Sequence, residues 1–324
     1  MKEKLPFIDF AKGIGILLVV WGHTQTPFTR SIYIFHMPLF FMLSGFLFET
    51  KSFSFAIKRI IKLLRLLFFY YILSYLFFYV INFFRGTPFV ENSFFELFTG
   101  KELYRYNVPL WFLLSLIWVS TIYQMMSKIK NQFAITIICL IISYTGLFLS
   151  KNAINLPYYL DSSMSVIFFY HLGYLIKKYN LIRKYVVNNK NFLLIFSLLS
   201  IVGAFSYTSY FSEIRLDIRS NFFYINFLEY ILINILILVS ILILCNLIRY
   251  NRAINFLGVS SLVIMSVHCI FKGILPLLQL DYFITNQHLL SIVEFMILTF
   301  LSVITILALK INMFSRIRYL FGIK

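Results

Sequence analysis

Charge is what this 324-residue chain has least of. Only 13% of its residues are Asp, Glu, Lys or Arg, where a soluble domain carries about 25%. Acids are the scarcer sign, 12 against 29 basic residues. Three cysteines cannot build a disulfide framework. Cys139, Cys245 and Cys269 each sit inside an apolar run without ligand spacing, so they read as small core residues. There is no internal repeat, no loop long enough to fold as a domain, and none of the ~10-residue alternation of a membrane β-barrel. No small-residue cleavage site follows the first apolar run, so Met1–Lys12 is not expected to be a cleavable signal. What is present is apolar surface: 60% hydrophobic residues, with 39 Phe and 22 Tyr. The expectation is a single all-α domain over residues 1–324, an integral membrane protein of the polytopic kind.

A span needs ~20 apolar residues. Hydropathy alone cuts about ten, at 8–27, 32–48, 66–84, 109–126, 133–150, 159–176, 192–208, 225–248, 257–278 and 289–309. Counting Lys and Arg between them is an independent check, because charge played no part in the cutting. Alternate intervals, starting with 1–12 and ending with 310–324, hold 21 of the 29 basic residues. The other side holds 8 basic residues and nine of the 12 acids. By the positive-inside rule both termini are cytoplasmic. The net charge of +17 is thus an orientation signal, and no nucleic acid partner is expected. The longest outer loop, Arg85–Val108, balances Arg85, Lys101 and Arg105 against Glu91, Glu96 and Glu102. Lys51–Arg65 reads as a basic amphipathic connector running into the third span.

The polar residues that do enter apolar segments concentrate between Asp9 and Gly45. Ionisable groups in lipid are costly and mark function by default. Lys12 and His23 are 11 positions apart. In a helix that is about three turns and roughly 16 Å of rise, which puts both on one face. Asp9 joins that face three residues before Lys12. Gly13, Gly15 and Gly22 thin the helix and allow a close neighbour. His36-Met37-Pro38 is expected at the start of the second helix, with Pro38 in its first turn. Lys12 as a snorkelling anchor and His23 as a buried interhelical contact are the plainer alternatives.

These residues carry a resemblance. D-x-x-K-G-I-G-I-x-L-V-V-x-G-H over Asp9–His23 and F-H-M-P-L-F-F-M-L-S-G over Phe35–Gly45 are similar to motifs of the acyltransferase family 3 membrane proteins. Within that family the chain looks like the branch of the nodulation-factor fucose 4-O-acetylase. The family's basic-x10-His motif maps onto Lys12 and His23. Further matches follow in order. The run Lys58, Arg59, Lys62, Arg65 before Tyr70 is one, and Leu110-Trp111-Phe112-Leu113 another. Phe168–Tyr174 and Leu257–Leu262, running on to His268, complete the series. Phe69 stands where proline is expected, and Lys12 where arginine is common.

The resemblance implies acyl transfer, most often acetyl, from cytoplasmic acyl-CoA to a hydroxyl of a surface or exported sugar. Acetyl-CoA would be a donor substrate; no permanently bound cofactor or metal is expected. The partners implied are acyl-CoA, a surface glycan or lipid-linked sugar, and the bilayer of a bacterial inner or plasma membrane. A hydroxyl nucleophile needs a base near neutral pH, and histidine has that pKa unperturbed. The expected catalytic set is His23 as base or acyl carrier, His36 and Lys12. Lys12, Lys58, Arg59, Lys62 and Arg65 are the expected donor-phosphate ligands. Trp111, His268 and Glu229 are the acceptor candidates, with interface anchoring, polar packing and helix capping as their alternatives. His171 reads as packing, and Asp161 and Glu294 as helix-start acids. The rival function is a transporter or flippase of a lipid-linked glycan; against it stands the lack of repeated halves and broken helix pairs.

Overall fold

The computed structural model describes residues 5–24, 26–50, 52–88, 106–186, 189–211, 213–311 and 320–321. Most of the charged loop expected at Arg85–Val108, and most of the basic tail, lie outside the described residues. Among the described residues, the regular structure is helical apart from one short β-hairpin. The principal helices are α1 (Pro6–Gly22), α2 (Thr29–Phe46), α3 (Phe53–Arg85), α4 (Trp111–Met126), α5 (Gln132–Lys151) and α6 (Leu160–Lys178). They continue with α7 (Lys190–Tyr210), α8 (Phe227–Ile248), α9 (Arg252–Val259), α10 (Ser261–Lys272) and α11 (Gln287–Lys310). The hairpin pairs β1 (Arg215–Asp217) with β2 (Phe222–Tyr224), Leu216 opposite Phe223. Each hydropathic segment falls on one of these helices, or on a pair.

Two boundaries differ from the sequence reading. The segment 257–278 is not one straight helix: α9 and α10 meet across Ser260 at an 80° bend. Hydropathy sums apolarity along a window and carries no direction, so a break between two serines leaves no trace in it. Pro38 is not in a first turn either. α2 starts at Thr29, nine residues earlier, so Pro38 is an interior proline and cannot donate an amide bond to Ile34.

Among the described residues, six helices are long and apolar enough to cross a membrane, seven if the bent pair counts as one span. α1, α2 and α6 are outside that set; they form the middle of the bundle and are largely buried by neighbouring helices. α2 and α6 share the most extensive helix contact in the molecule, followed by α1 with α9. Outer helices do the reverse. Phe83 and Phe84 on α3, Phe192 and Leu199 on α7, and Met296 and Phe300 on α11 are exposed. Such faces suit hydrocarbon and not water. The features are those of a multi-pass membrane protein. α3 runs unbroken for 33 residues, so the basic connector and the third span are one helix.

Glycines set the central packing. A Cβ on Gly45 would strike the carbonyl of Tyr170, and one on Gly173 that of Met42, so α2 and α6 cross backbone to backbone. Gly258 likewise meets the Asp9 carbonyl and Gly13 that of Ile254, which seats α9 on α1. α10 then leaves that contact at the bend, and its far turns face the end of α1.

Candidate active site

α1 ends at Gly22, and His23 is its C-cap. The last carbonyls of a helix lack amide partners, and a histidine there can supply one. The His23 amide bonds back to Val20, and its Nδ1–H donates to the Val19 carbonyl at 2.7 Å. A carbonyl oxygen only accepts, so Nδ1 carries a proton, and in the neutral imidazole Nε2 then keeps its lone pair. His36 on α2 repeats the arrangement with Ile32 at 2.8 Å, and His268 on α10 with Ile264 at 2.9 Å. Three elements thus each present a histidine with the same tautomer.

His23 and His36 line one cavity of about 450 Å³, with Tyr33, Trp111, Asp217, Arg219, Cys269 and Lys272. Tyr33 spans the two rings, its centroid 6.1 Å from His23 and 5.0 Å from His36. His268 is fully buried behind the wall, its ring edge-on to His23 at 5.1 Å. Its Nε2 accepts from the Cys269 thiol at 3.5 Å.

The walls are fixed by polar bonds rather than left to loops. Asn107 donates to Ser74 Oγ and to the Ser266 carbonyl, which ties Tyr106–Pro109 to α3 and α10. Asn221 in the hairpin turn donates to the Gly146 carbonyl and accepts from Ser165. The turn is thereby pinned to α5 and α6. It carries Asp217, whose carboxylate accepts from Ser220 Oγ at 2.8 Å and from the Arg219 amide at 3.0 Å. The cavity thus holds bare imidazole nitrogens, one fixed carboxylate, two cations and an indole.

Of the residues expected from sequence, the structure brings together His23, His36 and Trp111, with His268 behind them. It does not bring the others to that wall. Lys12 is ion-paired with Asp9 at 3.3 Å, the contact their spacing predicts. Lys58, Arg59, Lys62 and Arg65 ride the first half of α3. Arg59 lines a small separate pocket with Glu49, Ser120 and Gln124. Glu229 closes a capping box with Asn226 at the start of α8, and it borders a shallow cavity away from the histidines. Asp161 sits in the first turn of α6, accepting from the Ser162 and Leu156 amides. Glu294 is not a helix-start acid: it is the eighth residue of α11 and lines a 340 Å³ cavity that shares Lys272 with the main one. His171 is a packing residue, bonded to the Tyr123 hydroxyl at 2.8 Å and to Thr136 Oγ1 at 2.9 Å.

Tyr33, Asp217, Arg219 and Lys272 were not singled out from sequence. Asp217 and Arg219 lie between two hydropathic segments, where charge is unremarkable. Their one local signal was the short alternating Ile214–Ile218 stretch, half-buried against the bundle. Lys272, one turn after His268 on the same helix, was legible as a lysine inside an apolar segment.

A family profile described as an acyltransferase domain matches residues 5–311. Among curated proteins, nodulation protein NolL of Mesorhizobium japonicum is 46% identical over 52 residues, covering 12% of this chain and 14% of that protein. NolL of Sinorhizobium fredii is 44% identical over 52 residues with the same coverage. The chain thus spans about 14% of the length of the curated relatives it matches. No solved structure matches.

Proposed function

The chain belongs to the acyltransferase-domain family, and from that premise we propose that it is a multi-pass O-acyltransferase. It moves an acyl group, most simply acetyl, from acyl-CoA to a hydroxyl of a surface or exported sugar. The observation that carries this reading is the bare Nε2 of His23, held at a cavity wall by the Val19 carbonyl.

The geometry supports a division of labour. An attacking hydroxyl donates to His23 Nε2, which takes its proton as the new C–O bond forms. The imidazolium is steadied through Nδ1 by a backbone carbonyl, the role an orienting group has in catalytic triads. As the acyl carbonyl becomes tetrahedral its oxygen gains negative charge and needs donors. On collapse the thioester C–S bond breaks and CoA leaves as the thiol, taking the proton back from the His23 imidazolium. Neutral His36 has committed its only N–H to Ile32, so it supplies a lone pair and not a donor. Lys272, Arg219 and the Tyr33 hydroxyl line the same cavity and can donate. His36 is better placed to receive a second hydroxyl of the sugar, as is Asp217. Trp111 offers a face for the sugar ring to stack on.

Volume sets what can be inside. About 450 Å³ suits a small ligand, at the lower end of the ~300–1,000 Å³ typical of ligand pockets. Once it holds one sugar residue and an acyl end, it has no room left for the donor's nucleotide. The phosphates of acyl-CoA therefore stay outside it, at Lys12 and the Lys58–Arg65 run, with roughly 16 Å of helix rise between Lys12 and His23. In this reading the ten hydropathic segments span the membrane, both termini and the donor are cytoplasmic, and the hairpin side receives the acceptor. The membrane is a bacterial inner or plasma membrane. The nodulation proteins it partly resembles are bacterial.

The test is label transfer. Membranes holding the protein, given radiolabelled acetyl-CoA, should pass label to the glycan fraction. Membranes with His23→Gln should not. Equal labelling by both would overturn the assignment of the base.

A further inference from the structure

A thiol and two imidazoles meet at the cavity wall where the proposed chemistry needs one imidazole. The ligand-capable atoms of His23, His268 and Cys269 all lie within 4.8 Å of one another. Cys269 Sγ is 3.5 Å from His268 Nε2. We propose that His23 Nε2, His268 Nε2 and Cys269 Sγ form a zinc-binding site that opens onto the cavity.

The donor set is the first argument. Two imidazole nitrogens and a thiolate suit zinc and disfavour magnesium or calcium, which take oxygen ligands. Ligand spacing is the second. With Zn–N of about 2.0 Å and Zn–S of about 2.3 Å, tetrahedral ligand atoms stand about 3.3–3.6 Å apart. The Cys269–His268 edge has that length already. The remaining edges, at most 4.8 Å, close by up to about 1.5 Å as the ion binds. The third argument is orientation. A zinc-bound histidine usually donates its other ring N–H to a carbonyl or carboxylate, which fixes the tautomer and the ring. Both histidines do so in this fold, to Val19 and Ile264. The fourth position faces the cavity, where water or a ligand oxygen can fill it. Lys272 and Arg219 oppose a cation there, while Asp217 and the thiolate offset them. The site is therefore one of reversible occupancy and not a structural zinc. Binding displaces the thiol proton and takes the lone pair of His23. Where the acyl-transfer reading holds, zinc blocks the base.

Binding can be read without any acyl transfer. The full-length protein, purified in detergent free of metal, is titrated with Zn²⁺ against a chromophoric chelator. One equivalent should bind, with magnesium in excess making no difference. His268→Gln and Cys269→Ser should each lose that equivalent, while His36→Gln, equally buried but outside the cluster, should keep it. Co²⁺ gives a second readout on the unaltered chain: a thiolate-to-cobalt charge-transfer band. Zinc binding undiminished in both variants, equal loss in His36→Gln, or cobalt binding without the thiolate band would each overturn the site.

Discussion

A histidine ring has two nitrogens, and in this protein the backbone decides which is free. Nδ1 of His23, His36 and His268 is each tied to the carbonyl four residues earlier. His171 differs in kind, since both its nitrogens are bonded to side chains between α4, α5 and α6. That contrast separates two outcomes. His23→Gln removes the base and should lower the transfer rate by about 10²–10⁴-fold while the protein folds and binds acyl-CoA. His171→Phe takes the partner from the buried Tyr123 hydroxyl and should cost about 1–3 kcal/mol of stability. Thermal unfolding in detergent should show the loss, and activity per folded molecule should be retained. Lys272→Met tests charge stabilisation: removing one such donor typically costs about 10²–10³-fold in turnover. A fall in turnover with little change in acceptor KM is expected, and a pure KM effect would move Lys272 to a binding role.

At the scale of elements, glycine contacts decide which helices can cross. Gly45 and Gly173 let α2 and α6 touch backbone to backbone, while Gly203 on α7 faces open space. Gly45→Val has nowhere to go and should cost more than the ~1–3 kcal/mol of ordinary overpacking. Gly203→Ala should be neutral or mildly stabilising. Equal melting temperatures for the two variants would contradict the packing described. The same contacts show what the sequence could and could not reveal. Asp9, Lys12 and His23 were legible because a helix has a fixed period, and the apolar segments because lipid demands length. Gly45 and Gly173 were visible as motif members, yet their being partners was not, since 128 positions separate them. The 80° bend at Ser260 was hidden inside an apolar run. So was the meeting of Cys269 with His23, which depends on that bend. Asp217 and Arg219 were unreadable as site residues because only the hairpin's anchors on α5 and α6 bring them to the cavity.

For the molecule as a whole, the proposed donor and acceptor sites lie at opposite ends. The basic half of α3 is distant from the histidine cavity, so its charges should act on donor affinity and not on the chemical step. Lys58→Gln with Lys62→Gln should raise the KM for acetyl-CoA several-fold at unchanged kcat, and the effect should shrink with salt as exposed charges are screened. The central helices carry the candidate site, while α3, α5, α7 and α11 leave most of their apolar surface exposed. The central claim remains that His23 makes this chain a sugar O-acyltransferase. Its most direct test is mass spectrometry of surface glycans from cells producing the native protein or His23→Gln at equal levels. The account predicts acyl esters on the glycan of the first and their absence from the second, with glycan amount and export the same. Equal ester content in both would contradict it.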